Sequence, residues 1–102
     1  MKARMKHDIK VDGAYKHPRL MGLENVVLSA KEVILFENEQ VKGIIDNLYY
    51  DGKIWIISEY KLNDNNVLNA LEQLEKYNKH FDKYNLKDKR DMIFTGNYRR
   101  FK

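Results

Sequence analysis

With 102 residues, 43% of them hydrophobic and 33% charged, the chain is sized for one compact domain, which excludes a multidomain machine. The longest apolar runs, such as Ile54 to Ile57, fall far below the ~20 residues that cross a bilayer, and the absence of cysteine removes disulfides and Cys-based zinc sites. The net charge of +4 is uneven: residues 1–19 hold Lys2, Arg4, Lys6, Lys10, Lys16 and Arg19 against Asp8 and Asp12, and residues 97–102 add Arg99, Arg100 and Lys102 without an acid.

Basic ends around a more acidic centre fit phosphate-gripping flanks beside a carboxylate cluster that holds a cation, and on charge alone fit a solvated surface with Lys-rich ends better. The start MKARMKHDIK lacks the apolar core of a secretory signal, so a cytoplasmic location and no membrane partner are expected.

Residues 1–16 read as an irregular basic arm. From Pro18 onward Leu20, Leu23, Val26, Val27 and Ala30 recur at helical spacing, and a proline in the first turn suits a helix start, so a short first helix is predicted there despite Gly22. Glu32 to Asn38, with Val33-Ile34-Leu35-Phe36 at its centre, reads as a strand. Val41 to Tyr50 and Lys53 to Tyr60 read as two more, joined by an Asp51-Gly52 turn into an antiparallel meander. Asn63 to Asn66 offers an N-cap for a long helix on which Val67, Leu68, Leu71, Leu74 and Phe81 form an apolar stripe ending near Asp82. Met92 to Thr95, closed by Gly96, reads as a fourth strand. The expected class is α/β (α+β), with helices covering the sheet.

The chemistry concentrates in GIIDNLYYDGKIWIISEYK, Gly43 to Lys61. Side chains alternate along a strand, so Glu59 and Lys61 share one side and Tyr60 takes the other. A regular two-residue turn at Asp51-Gly52 would pair residues whose numbers sum to about 103, placing Asp46 near Ile57 and within one step of Glu59. Two carboxylates and an ammonium then converge at the end of the hairpin far from its turn. Adjacent carboxylates repel, and a divalent ion relieves the penalty; oxygen ligands with retained water suit Mg²⁺ or Mn²⁺, which polarise a phosphodiester and acidify bound water. Lys61 would orient or help deprotonate that water. The structural alternative is an exposed cross-strand ion-pair cluster worth about 0.2 to 1 kcal/mol per pair.

Asp46, followed after twelve residues by Glu59-Tyr60-Lys61, resembles the PD-(D/E)XK nuclease superfamily, with Ile45 where the family proline would stand. Gln73-Leu74-Glu75-Lys76-Tyr77 on the next helix resembles the QxxxY motif of the RecB-like exonuclease branch; a spacing of four puts Gln73 and Tyr77 on one helical face. The resemblance covers roughly residues 20 to 96. It implies a minimal restriction-endonuclease-like αβββαβ core with a mixed four-stranded sheet over residues 17–96, between the basic arm (1–16) and a basic tail (97–102). It further implies a Mg²⁺- or Mn²⁺-dependent deoxyribonuclease with exonuclease character. Asp46, Glu59 and the Tyr60 backbone carbonyl would hold the metal, with Glu24 of the first helix as a further ligand. Lys61 would activate water, and Gln73 with Tyr77 would position the scissile phosphate.

Lys2, Arg4, Lys6, Lys10, Arg99, Arg100 and Lys102 are expected to contact DNA, with affinity falling steeply with salt. So small a domain is expected to work as a homodimer or larger ring. A structure-selective endonuclease of the Holliday-junction resolvase type and a non-catalytic nucleic-acid-binding subunit are the alternatives. Packing on the helix face is the structural alternative for Gln73 and Tyr77. His7, His17 and His80 lack a two-His helical spacing and read as surface or DNA-contact histidines. Neither GxGxxG nor GxxxxGK[ST] occurs, so no nucleotide cofactor is expected.

Overall fold

In the computed structural model, which describes residues 2–86 and 88–101 apart from the side chains of Lys2 and Ala3, the β-rich runs form the expected antiparallel meander. Its strands are β1 (Leu28–Glu37), β2 (Gln40–Tyr50) and β3 (Trp55–Lys61). On helix α2 (Val67–Lys83) the buried residues Val67, Ala70, Leu74, Tyr77 and Phe81 recur every three or four positions, so one face packs against the sheet. The Asn63 side chain accepts the Asn65 backbone N–H at 3.1 Å and caps the turn that leads into it. Beyond α2 the chain enters β4 (Lys89–Thr95), parallel to β3, and then β5 (Arg99–Phe101), antiparallel to β4.

With helix α1 (Lys2–Lys16) at the start, the element order is αβββαβ plus β5, an α+β arrangement on a mixed five-stranded sheet ordered β1-β2-β3-β4-β5. Helix α2 covers one face, over Leu35, Ile45, Leu48, Ile57 and Ile93. Helix α1 covers the other, where Val11 and Ala14 meet Tyr49, Ile56, Tyr60, Met92 and Phe94. The layers are therefore helix, sheet, helix. No helix among the described residues is long and apolar enough to cross a membrane.

Three expectations are corrected. The first helix lies at residues 2–16, where an irregular arm was expected. The apolar spacing after Pro18 yields only a 3₁₀ turn, Pro18–Met21, because Gly22 takes a left-handed conformation (φ 75°) and ends it. The β2–β3 turn is wider than two residues: the Asp51 carboxylate accepts the backbone N–H groups of Lys53 and Ile54, each at 2.8 Å, and Tyr50 pairs with Trp55. The register consequently shifts by two, pairing Leu48 with Ile57 and Asn47 with Ser58. Asp46 is thus not beside Ile57 but faces the Glu59 position. Finally, the basic tail contributes a strand, since the chain reverses after Thr95 through Gly96 (φ 62°) and Tyr98 (φ 61°) and brings Arg99 back opposite Thr95.

Tyr98 also ties this turn to α1 by donating its hydroxyl to the Lys10 carbonyl at 2.7 Å. A Cβ on Gly13 would fall 2.4 Å from that hydroxyl oxygen. Gly13→Ala should therefore lower stability by about 1–3 kcal/mol, against the ~1 kcal/mol that alanine ordinarily contributes in a helix interior. Urea denaturation checks this, and a variant more stable than wild type would show that Tyr98 yields freely.

One irregularity shapes the rest of the molecule. In β1, Ser29 and Lys31 face α1, bonding the Tyr15 carbonyl and Asp12, whereas Val33 and Leu35, of the same parity, face α2. In β2, Asn47 and Tyr49 bond α1 carbonyls, yet Ile45 packs under α2. Both strands exchange faces at the Glu32/Asp46 position, where the ladder skips a pair and Glu32 adopts φ 51°. A left-handed glutamate costs about 1 kcal/mol or more, a strain the surrounding pairing maintains.

Candidate active site

Pairing between β2 and β3 ends at Asn47 and Ser58. Beyond that point β2 stays with β1 while β3 continues beside β4 through Lys61 and Thr95, so the sheet opens into a fork. The fork holds a cleft of about 320 Å³, walled by Ile44 and Asp46 on one prong, Glu59 and Lys61 on the other, Arg4 and His7 from α1, and Gln73, Lys76 and Tyr77 from α2.

Carboxylates replace the missing ladder bonds. The Asp46 N–H donates to Glu59 Oε1 at 3.2 Å, and the Tyr60 N–H donates to Asp46 Oδ2 at 2.9 Å. Each prong thus holds the acid of the other. His7 Nε2 reaches in from α1, donating to the Tyr60 carbonyl at 3.0 Å and lying 3.3 Å from Asp46 Oδ2. Glu59 is 1% exposed, which rules out an exposed ion-pair cluster.

Burial first, and then the negative charge of Asp46, push the Glu59 carboxyl up to about 9, so it carries a proton at neutral pH in the metal-free protein. Burial would also raise Asp46, but hydrogen bonds from His7 and the Tyr60 N–H outweigh it and hold this carboxyl below its ordinary value. The Asp46 hydrogen bond raises His7 in turn, against the opposing effect of burial. The proton on Glu59 and the hydrogen bonds to Asp46 therefore stabilise a site built with surplus negative charge. The Tyr77 hydroxyl is raised by burial and by both carboxylates; it remains a neutral donor and bonds the Ile44 carbonyl at 2.6 Å.

Asp46, Glu59, the Tyr60 carbonyl, Lys61, Gln73 and Tyr77 are all brought to this one fork. Tyr77 is 2% exposed and packs into the core, so its side chain joins α2 to β2 at the cleft wall. Gln73 faces the cleft with its buried Oε1 lacking a partner among the described residues. Glu24, in contrast, sits exposed on the loop between the 3₁₀ turn and β1 and does not line the cleft, because the helix expected to carry it does not form there.

The helix contribution comes from His7 instead. Sequence reading missed it because α1 is largely polar, although His7, Val11 and Ala14 stand four and three residues apart and so share the face turned to the sheet.

The basic residues divide. Arg4 lines the cleft, 3.4 Å from Asp8, and Lys6 is exposed on α1. Lys10 bonds Asn97, Arg99 pairs with Asp64, and Arg100 lines a separate groove between α2 and the β4–β5 edge. The Lys2 side chain and Lys102 lie outside the described residues.

The donor set fits a hard divalent ion. Ligands at right angles around an ion at about 2.1 Å stand about 3.0 Å apart, close to the separations of His7 Nε2 from the Tyr60 carbonyl oxygen (3.0 Å) and Asp46 Oδ2 (3.3 Å). The convergence is of two side chains and a carbonyl: among the described residues no group of three acidic or histidine side chains is arranged to hold an ion, since Glu59 turns to the Asp46 amide. Oxygen donors suit Mg²⁺ or Mn²⁺, and the imidazole favours Mn²⁺ of the two.

A Cβ on Gly43 would lie 2.7 Å from the Tyr77 ring, so the close approach of α2 to β2 requires glycine. Gly43→Ala should displace Tyr77, break its bond to Ile44 and lower stability by about 1–3 kcal/mol, with near-ultraviolet circular dichroism reporting the tyrosine shift. An unchanged spectrum and melting curve would show that the helix can withdraw without consequence. No protein-family model matches this chain, and no curated protein or solved structure does either.

Proposed function

We propose that this protein is a Mg²⁺- or Mn²⁺-dependent deoxyribonuclease of the PD-(D/E)XK type, acting in the cytoplasm and trimming DNA from its ends. The observation that carries the reading is the gathering of His7, Asp46, Glu59, the Tyr60 carbonyl and Lys61 at a fork in the sheet of an αβββαβ chain. His7, Asp46 and the Tyr60 carbonyl would hold the ion, with Glu59 joining once it gives up its proton. Such an ion supplies Lewis-acid polarisation of the phosphodiester and a more acidic water.

Lys61 sets its ammonium against the phosphate oxygens and orients the attacking water. The new P–O bond would form from that water, which loses a proton to solvent, as the P–O bond to the leaving strand breaks and the departing oxygen takes a proton from solvent. Gln73, with its free Oε1, accepts a hydrogen bond from water or substrate in the cleft. Tyr77 is a positioning residue, its hydroxyl being engaged by Ile44. Arg4 and Lys76 supply positive charge at the cleft mouth for the neighbouring phosphates. A homodimer is the proposed assembly, since β1 leaves a ten-residue strand at the sheet edge. A monomer by light scattering would overturn the assembly.

The test is cleavage of end-labelled single- and double-stranded linear DNA with Mg²⁺, Mn²⁺ or EDTA, comparing wild type with Glu59→Ala/Lys61→Ala. Metal-dependent cutting by the wild type and none by a folded variant is the expected result. A ladder of successively shortened products identifies end trimming; internal cuts, or cutting confined to junctions, would replace it with an endonuclease. A folded wild type that binds DNA without cutting would overturn catalysis and leave a binding subunit.

A further inference from the structure

The β1–β2 hairpin beyond the fork carries an apolar face that neither helix covers. Ile34 stands directly opposite Ile44, and Phe36 opposite Val41, across the register irregularity at Leu35/Phe36. Their exposures are 47%, 48%, 56% and 56% respectively. The intervening Leu35 and Gly43 turn the other way, toward α2 and the Tyr77 ring. This outward face follows from the exchange of faces at Glu32 and Asp46. A contiguous patch of four large apolar side chains on so small a domain marks an interaction surface.

We propose that this face receives the unpaired bases of a single-stranded stretch of DNA whose backbone enters the fork. The proposal rests on the nuclease reading and names its substrate form. Continuity and charge support it. Ile44 belongs both to the apolar face and to the cleft wall, so the patch runs without a break into the candidate site. On the cleft's other walls stand Arg4, Lys61 and Lys76, and Lys61 and Lys76 also line an adjoining hollow with Asn69, Glu72 and Gln73 on α2.

A cationic track beside an apolar and aromatic platform is the combination that single-strand binders use: phosphates follow the charges, and bases stack on the platform. A paired duplex offers a phosphate exterior and keeps its base faces within the stack, so it gains little from Phe36. Of the hairpin's acids beyond Asp46, Glu37 is paired with Lys83 at 2.9 Å, and Glu32 and Glu39 are exposed at the face exchange and the turn.

The experiment measures fluorescence anisotropy of a labelled single-stranded oligonucleotide and of a blunt duplex of the same length, in EDTA so that cleavage does not intervene. Phe36→Ala and Ile34→Ser/Phe36→Ala replace exposed side chains, and circular dichroism confirms their fold. Wild type should bind the single strand more tightly. Phe36→Ala should lower that affinity about tenfold, leaving the duplex affinity and the salt dependence of binding unchanged. Lys76→Ala should weaken both forms and flatten the salt dependence.

Equal loss on both forms, or no loss with Phe36→Ala, would overturn the platform. So would a wild-type dimer that Ile34→Ser/Phe36→Ala dissolves in light scattering, because a second copy would then occupy this face. Cleavage in Mn²⁺ is scored separately. A single-strand preference lost in Phe36→Ala without any metal-dependent cutting would refute catalysis and retain the platform; cutting with unaltered Phe36→Ala binding would refute the platform alone.

Discussion

Glu59→Gln should reduce metal-dependent cutting by about 10²–10⁴-fold while making the metal-free protein more stable than wild type at alkaline pH. Both effects come from one buried carboxyl. In the metal-free fold Glu59 is held up to about 9 by burial and by Asp46, against an ordinary value of 4.5. A group raised on folding contributes its full stability below its unfolded value and loses it as pH climbs toward its folded one. Between about pH 4.5 and 9 the wild type should therefore lose stability from this group as pH rises.

Glutamine copies the neutral acid: its oxygen can accept the Asp46 N–H that Glu59 Oε1 now accepts, and its amide nitrogen can donate toward Asp46. It cannot become the anion that an ion requires. Thermal melts in EDTA from pH 5 to 9 should show a steeper loss in wild type than in the variant, which keeps only the His7 contribution, with the two nearly equal at the acid end. A Glu59→Gln protein that follows the wild-type slope would show that Glu59 ionises freely in the fold.

The legible parts of the sequence were those with strong local patterns. Helix α2 announced itself through Val67, Leu74 and Phe81 behind an Asn-rich cap, and β2 and β3 through β-branched and aromatic residues on either side of Asp51-Gly52. Strand alternation put Glu59 and Lys61 on one side, and the Asp51-Gly52 turn brought Asp46 near them. The exact facing of Asp46 and Glu59 was not legible, because it depends on the Asp51 side chain binding two backbone N–H groups and widening the turn.

Helix α1 was hidden for a different reason. Among its described side chains only Val11 and Ala14 are fully buried, and Met5 and Ile9 point outward at 53% and 62% exposure, so the apolar pattern of a packed helix is nearly absent. The third inward position is His7, where a polar residue replaces the expected hydrophobe because it meets Asp46 and a carbonyl rather than a side-chain core. The residue that completes the candidate site is thus the one that weakens the helix signal. Strand β5 was equally opaque: Arg99-Arg100-Phe101 has no strand pattern of its own, and it follows a turn whose Tyr98 is tied to α1.

His7 yields the second large effect. Divalent-ion affinity should rise with pH, about tenfold per unit for each proton displaced, because ion binding must remove the proton from His7 and that from Glu59. Asp46 raises His7 above 6.5, so at mildly acid pH both groups are protonated and the logarithm of the affinity should climb with a slope near two. Above the His7 value the slope should fall to about one, and it should vanish near 9 as Glu59 ionises unaided. His7→Gln should lower the affinity and remove one unit of slope in the acid range only.

The stability of the metal-free protein carries the matching sign. The His7 contribution is present in full below its unfolded value of about 6.5 and disappears as pH rises through the higher folded one. The bond network that gives it is His7 to Asp46 and to the Tyr60 carbonyl. On the proposed reading, proton and ion would be alternative occupants of the His7, Asp46 and Tyr60 pocket, with the ion replacing the proton as the pH rises. Mn²⁺ titration calorimetry in buffers of different ionisation enthalpy counts the protons released. Equal proton counts for wild type and His7→Gln at pH 6 would remove His7 from the ion's ligands and leave Asp46, Glu59 and the Tyr60 carbonyl to hold it.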